Sequence, residues 1–413
     1  MAPSSLAQPG HGQVIATGEA REYPPSLHVE RDWSSREFLI EYYKAGGGDE
    51  EAIEEKIAEL MEKGEECRDL SPFLLGRVKE AEEIVPGQVI TIMQPPAGAL
   101  TRFTENPVLV PIKEHSWESK YVLNPGAIKL RGKTYLVYRA VGEDNVSRLG
   151  LAASEDGFKF TERLEEPIFE PKGKSEERGC EDPRLTLIGD RIYMLYTAYD
   201  GVVAQIAAAS IKVNDFLDYR WRAWHRHGLV FPGFTDKDGT LFPEQFNGTF
   251  TMLHRVDPHI WIIFSSHLRC PWSRKKHKIL AGTTSGMMWD GKIIGAGAQP
   301  IKTKYGWLLI THGVDYSNVY RLGLMLLDLA DPTTILYRSP NPILEPVERY
   351  EVGEIGKGWV PNVVFTCGAV TRDGEKETLD ADDEVLVYYG SADSVIGVAS
   401  ARLDKLIPVS IPK

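Results

Sequence analysis

Cysteine is scarce in this 413-residue chain: Cys67, Cys180, Cys270 and Cys367 stand far apart, with no CxxC pair. That excludes a zinc knuckle and a dense disulfide framework, and it fits a reducing compartment. An excess of positive charge is also missing, because 47 Lys and Arg face 59 Asp and Glu, for a formal net charge of -12. General attraction to a nucleic-acid backbone or an anionic membrane is therefore not expected. The longest apolar runs, such as Ile260 to Phe264, fall far short of the ~20 residues of a membrane span. The N-terminus has no basic segment followed by an apolar one, so a soluble, cytoplasmic protein is expected. No GxxxxGK(S/T) loop, no GxGxxG after a strand and no HExxH occurs, which removes the common nucleotide and zinc constellations. No cofactor and no metal are expected.

What is present is enough apolar residue, 42%, to build a packed interior. Roughly the first 20 residues are rich in Pro, Gly, Ser and Ala and read as a tail or arm. Helical signals follow. Ser34 with Glu37 forms a capping box, Ile53, Ile57, Leu60 and Met61 share a helix face, and Ser71-Pro72 supplies a cap with a first-turn proline. Residues 1–99 are accordingly expected to form a tail with a helical extension, whose helices would serve a homo-oligomer.

From residue 100 the pattern changes to short β-rich runs, and a repeat emerges. Segments ending at Tyr138, Tyr196, His254 and His312 follow one another in equal steps of 58 residues, and a fifth ends at Tyr389 after a longer step. Small-residue strands follow most of them, as in Leu149-Gly-Leu-Ala-Ala153 and Ile206-Ala-Ala-Ala-Ser210. Each unit can supply about four strands, the size of a propeller blade. The expected fold is all-β, a five-bladed β-propeller over residues 100–413 with the N-terminal helical extension.

Inner strands of such a fold line a shared pocket, so polar residues recurring at their ends draw attention. Asn124 and Asp182 stand at matched places ahead of the repeat ends, while Arg139 and Arg255 stand just after them. Arg148, Lys237, Lys292 and His312 add cationic or switchable groups, opposed by Asp182, Asp200, Asp236, Asp238 and Asp393. Converging cations in an acidic chain suggest an anionic ligand, since Arg offers a planar fork and Lys a point charge to phosphate. Spacing alone equally allows structural ion pairs between blades.

Several motifs together carry a family resemblance: Glu181-Asp-Pro-Arg184, Tyr196-Thr-Ala-Tyr-Asp200, Asp236-Lys-Asp-Gly239, Leu253-His-Arg255, Lys292-Ile-Ile-Gly-Ala-Gly297, Thr311-His-Gly313 and Tyr389-Gly-Ser-Ala-Asp393. In this order they resemble glycoside hydrolase family 130, mainly inverting β-mannoside phosphorylases. The resemblance implies that inorganic phosphate, as co-substrate, displaces a β-linked mannosyl group to give α-mannose 1-phosphate. Phosphate is already an anionic nucleophile, so cations that hold it can stand in for the base that water would need. By the resemblance Asp182 is the general acid, acting through a substrate hydroxyl. Lys237, Arg255, Lys292 and His312 are the phosphate set, and Asn124, Arg139, Arg148, Tyr199, Asp200 and Asp393 surround the mannosyl group. The Asp236-Lys-Asp-Gly239 motif resembles the branch acting on β-1,2-mannobiose or β-1,2-oligomannan. Departures at Gly295 to Pro300 and at Ser391 and Ser394 bear on the acceptor. A mannosidase using water and a non-catalytic glycan-binding propeller stay open as alternatives.

Overall fold

The computed structural model describes residues 13–16, 19–22, 99–353, 359–373 and 376–407. The chain divides into two units, Met1–Ile92 and Met93–Lys413. In the first, β1 (Gln13–Ala16) pairs antiparallel with β2 (Glu19–Glu22), Gln13 opposite Glu22. The second unit opens with β3 (Thr101–Arg102).

Five runs of antiparallel strands follow. The first comprises β4 (Tyr121–Leu130), β5 (Lys133–Val141), β6 (Ser147–Ser154) and β7 (Glu162–Arg163). The second comprises β8 (Gly179–Ile188), β9 (Arg191–Tyr199), β10 (Ala204–Lys212) and β11 (His225–Leu229). The third is β12 (Lys237–Leu241), β13 (Phe250–Val256), β14 (His259–Ser265) and β15 (Lys278–Ala281). The fourth is β16 (Ile293–Ala296), β17 (Ile301–Thr303), β18 (Gly306–Val314), β19 (Tyr320–Leu327) and β20 (Ile335–Arg338). The fifth is β21 (Val364–Thr371), β22 (Glu384–Ser391) and β23 (Val395–Arg402), completed by β3.

The residues Tyr138, Tyr196, His254, His312 and Tyr389 lie on β5, β9, β13, β18 and β22, each paired with the strand that opens its run. Every residue of β18, Gly-Trp-Leu-Leu-Ile-Thr-His-Gly-Val, is buried. Continuous apolar runs of this kind belong to strands covered on both faces. The covering comes from neighbouring runs: Val137 and Leu149 cluster with Leu185 and Met194, Leu195 and Ile206 with Leu241 and Met252. Leu253 and Ile260 cluster with Trp307 and Leu309, and Leu308 and Ile310 with Val385 and Val387. Leu136 and Tyr138 meet Leu386 and Val398, so the last run also packs on the first. Full burial of each such side chain contributes roughly 1.5–3 kcal/mol.

The first and last strands of the unit share a sheet edge, with Thr101 opposite Ser400 and Arg102 opposite Ala399. Arg102 forks onto the buried Glu351, Nε to Oε1 at 2.8 Å and Nη2 to Oε2 at 2.9 Å. The Tyr389 hydroxyl donates to the same carboxylate at 2.9 Å.

The expected five-bladed propeller with an N-terminal helical extension is corrected in two respects. Hydrogen bonding groups the strands into sheets of eight, four, five and four, besides the β1–β2 pair, and not into five separate blades. The first two runs merge because Ser147 on β6 pairs in parallel with Gly179 on β8. Gly179 has φ of +145°, and a Cβ there would lie 2.7 Å from the Ser147 amide nitrogen, so only glycine permits that approach. The helical extension is likewise not found among the described residues, where the N-terminal unit holds strands only. Val14 and Ile15, both β-branched, favour the strand there. The helical signals at 34–85 lie outside the described residues. The α-helices among the described residues are short, Val213–Leu217 and Leu403–Leu406, and none of the helices there is long and apolar enough to cross a membrane.

Candidate active site

The opening strands of the runs do not pair smoothly. Register shifts fall between Leu123 and Gly126 on β4, Glu181 and Arg184 on β8, and Lys237 and Thr240 on β12. At these bulges Asn124, Asp182 and Asp238 adopt left-handed backbone, with φ of 46°, 53° and 57°. Asn and Asp tolerate that conformation better than other side chains, and the proline or glycine that follows each favours the break. A bulge re-aims its side chain, and here three successive bulges gather polar groups in one place.

On one side lies a group rich in carboxylates. The Asn124 amide donates to Asp182 Oδ1 at 2.9 Å, and Arg139 Nη1 reaches the same oxygen at 3.4 Å. Arg139 also donates from Nη2 to Glu181 at 2.8 Å and from Nε to Ser147 Oγ at 2.9 Å. Asn124, Arg139, Glu181 and Asp182 are all buried. Asp182 Oδ2 has no protein partner among the described residues. Gly390 makes room for this group, since a Cβ there would lie 2.2 Å from Asn124 Oδ1. Asp393, just after β22 with φ of 49°, is the nearby carboxyl. Burial pushes it up to about 6; Asp182 and Glu181 add to the rise, and Arg139 and Lys237 oppose it.

On the other side two guanidinium groups and an imidazole surround one carboxylate. Asp238 accepts from Arg184 Nη2 at 3.0 Å, from Arg255 Nε at 2.5 Å, and faces His312 Nε2 at 3.3 Å. Burial by itself would raise this carboxyl, but Arg255, His312 and Arg184 outweigh it and hold Asp238 well below the usual carboxylate range. Burial also lowers His312, with Arg255 and Arg184 adding to the effect and Asp238 opposing it. Its Nδ1 is buried without a hydrogen-bond partner among the described residues. Arg184 ties the two sides together, because Nη1 donates to the Asp182 backbone carbonyl at 3.1 Å and Nε to the Gly297 carbonyl at 2.7 Å.

Among the residues expected from sequence, Asn124, Arg139, Asp182 and Asp393 fall in the first group, and Arg255 and His312 in the second. Lys237 lies directly across the ladder from Arg255, and its ammonium has no hydrogen-bond or ion-pair partner among the described residues. Lys292 precedes β16 and donates to Asn318. Arg148 is turned to Asp144 at 2.8 Å and Glu170 at 3.4 Å. The Tyr199 hydroxyl donates to the Gly201 carbonyl at 2.9 Å, while the Asp200 carboxylate accepts the Val202 and Val203 amides, both at 2.7 Å, which lowers it. Among the described residues, those four make no hydrogen bond or ion pair with Asp182 or Asp238.

Sequence reasoning left Arg184 and Glu181 out of the site, although they sit inside a motif that it singled out, and gave Asp238 only as one of the carboxylates opposing the cations. Their neighbours in sequence took the roles, and only the bulges reveal which residue turns inward. Asp236 and His254, 3.0 Å apart and fully buried, lie behind Lys237 and Arg255. Among the described residues no group of three or more His, Cys, Asp or Glu could hold a metal ion.

Residues 94–410 match the family described as beta-1,4-mannooligosaccharide phosphorylase, glycoside hydrolase family 130. A 1,2-beta-oligomannan phosphorylase of Thermoanaerobacter sp. (strain X514) is 41% identical over 309 residues, 73% of this chain and 96% of the relative. A beta-1,2-mannobiose phosphorylase of the same organism is 40% identical over 328 residues, 74% of this chain and 98% of the relative. Among solved structures, a beta-1,2-mannobiose phosphorylase from Listeria innocua in complex with beta-1,2-mannobiose aligns with a TM-score of 0.63 at 28% identity, covering 74% of this chain and 98% of that one.

Proposed function

The chain belongs to glycoside hydrolase family 130, and from that premise we propose that it is a phosphorylase cleaving a β-1,2-mannoside, mannobiose or oligomannan, with inorganic phosphate. The products are α-mannose 1-phosphate and a shortened sugar, with inversion at the anomeric carbon. The observation that carries the reading is the pairing of one acid, Asp182, with a dense cationic group at Arg184, Arg255 and His312. A water nucleophile needs a carboxylate base in that position, whereas phosphate needs positive charge to hold it in line.

The roles follow from the two groups. Lys237 offers an unpaired ammonium opposite Arg255, and with Lys292 and His312 these residues bind phosphate. Asp238 pairs with Arg255 and faces the His312 imidazole, and so fixes their directions. Asp182, held at Oδ1 by Asn124 and Arg139, gives its proton from Oδ2 by way of a substrate hydroxyl. The leaving oxygen takes up that proton as the bond from the anomeric carbon to it breaks and the bond to phosphate forms. Asn124, Arg139 and Asp393 contact the mannosyl group, with Arg148, Tyr199 and Asp200 at its rim. The protein works in the cytoplasm, and phosphorolysis nearly conserves bond energy, so metabolite ratios set its direction.

The test is product analysis with β-1,2-mannobiose and a panel of β-1,4-mannosides, each with and without phosphate. Phosphate-dependent α-mannose 1-phosphate from the β-1,2 substrate is the expected result, and free mannose regardless of phosphate would replace the reading with a hydrolase. Asp182→Asn should lower turnover by about 10²–10⁴-fold, the usual worth of a general acid. Turnover left intact in that variant would remove Asp182 from the role.

A further inference from the structure

The sugar that leaves needs a surface, and the residues assigned above supply none for it. Trp359 stands shortly before β21 with 48% of its surface exposed, although a ring of this size is mostly covered in folded proteins. Its plane lies 13° from that of Tyr121, at the start of β4, with 5.3 Å between centroids. The Arg139 guanidinium carbon is 5.5 Å from the Trp359 centroid, and Arg139 reaches Asp182 Oδ1 at 3.4 Å. Asp182 is also tied to the other group, since Arg184 donates from Nη1 to its backbone carbonyl and from Nη2 to Asp238, which accepts from Arg255 and faces His312.

The connections therefore run from the aromatic pair, through the acid, to the cations. Displacement with inversion needs nucleophile and leaving group on opposite sides of the anomeric carbon. With phosphate at the cations, the leaving sugar departs towards Tyr121 and Trp359. Sites for such ligands combine aromatic surface with a few polar groups, and Arg139 supplies the polar group here.

We propose that Trp359, backed by Tyr121, is the stacking platform for the sugar released from the β-mannoside and so sets acceptor affinity in the synthetic direction. The inference rests on the phosphorylase reading. The experiment is synthesis by the full-length protein from α-mannose 1-phosphate, with mannose or β-1,2-mannobiose as acceptor. Trp359→Ala should raise the acceptor KM about tenfold, the loss of one well-formed aromatic contact. The KM for α-mannose 1-phosphate should stay within about twofold, and Trp359→Phe, which keeps a stacking face, should recover most of the acceptor affinity. An unchanged acceptor KM in Trp359→Ala, or an equal rise in both KM values, would overturn the platform while leaving the phosphorylase intact. A wild-type protein that makes no product from α-mannose 1-phosphate would instead remove the phosphorylase reading, and the platform with it.

Discussion

On the side of the site formed by β4, β8 and the turn after β22, three carboxyl groups, Glu181, Asp182 and Asp393, lie in the field of Arg139. On the side formed by β8, β12, β13 and β18, one carboxyl group, Asp238, is shared by Arg184, Arg255 and His312. Both sides are surrounded by protein, so burial alone cannot distinguish them. The ratio of charges does. Where carboxyl groups outnumber cations, Asp393 rises to about 6; where cations outnumber carboxyls, Asp238 is held low. The proposed function assigns proton transfer to the first composition and phosphate binding to the second.

The largest effect that would break this contrast is expected at Asp238. Asp238→Asn leaves the buried Arg184 guanidinium and Arg255 without their shared counter-ion, and removing one partner of a buried pair costs about 3–5 kcal/mol. Urea denaturation should register that loss, and a variant as stable as the wild type would mean that the cations do not depend on this carboxylate.

A smaller, pH-dependent effect is expected at Asp393. Its folded value of about 6 lies above the ordinary unfolded value near 3.9, so the native state binds the proton more tightly. Stability linked to it is fully present below about pH 4 and is lost as pH rises through about 6. Asn cannot ionise, so Asp393→Asn should gain on the wild type between pH 4 and pH 7, by an amount on the order of 2 kcal/mol. Asp238 has the opposite sign: its contribution is present above the unfolded value and is lost as pH falls through its depressed folded value. A difference between Asp393→Asn and wild type that is the same at both pH values would contradict the raised carboxyl.

The smallest effect sharpens the contrast at a single residue. Arg255 also pairs with Asp257, whose side chain is 69% exposed. Exposed pairs are worth little, so Asp257→Asn should change stability by no more than about 1 kcal/mol. A loss approaching that of Asp238→Asn would show that exposure is not what separates the two partners of Arg255.

Much of the β architecture was legible because the strongest sequence signal, the apolar runs ending at Tyr138, Tyr196, His254 and His312, falls on strands buried on both faces. The merging of the first two runs was not, since it turns on one glycine, Gly179, beside Ser147. In the site, Asn124 and Asp182 could be found because Asn-Pro and Asp-Pro interrupt strands at matched places. Arg184 and Asp238 were harder: charge type announces a cation or an acid, but only the bulges decide which of Glu181, Asp182 and Arg184, or of Asp236, Lys237 and Asp238, turns which way. Trp359 carries no spacing signal at all, because its neighbours Tyr121 and Arg139 come from the opposite end of the repeat.

The edge shared by β3 and β23 has a practical consequence for anyone redesigning the chain. Because Thr101 faces Ser400 and Leu100 shares a core cluster with Ile407, a linker from Ile407 to Ala99, with new ends at the exposed turn of Gly189, would give a circular permutant that keeps every strand pairing of the second unit. Trimming through residue 102 would do the reverse. It would strip Ala399 and Ser400 of their β3 partners while Ile396 and Val398 stayed bonded to Asn106, Val108 and Leu109, and it would strand Glu351 without Arg102. Two residues, Thr101 and Arg102, thus decide whether the outer end of β23 and the Glu351 carboxylate keep their partners.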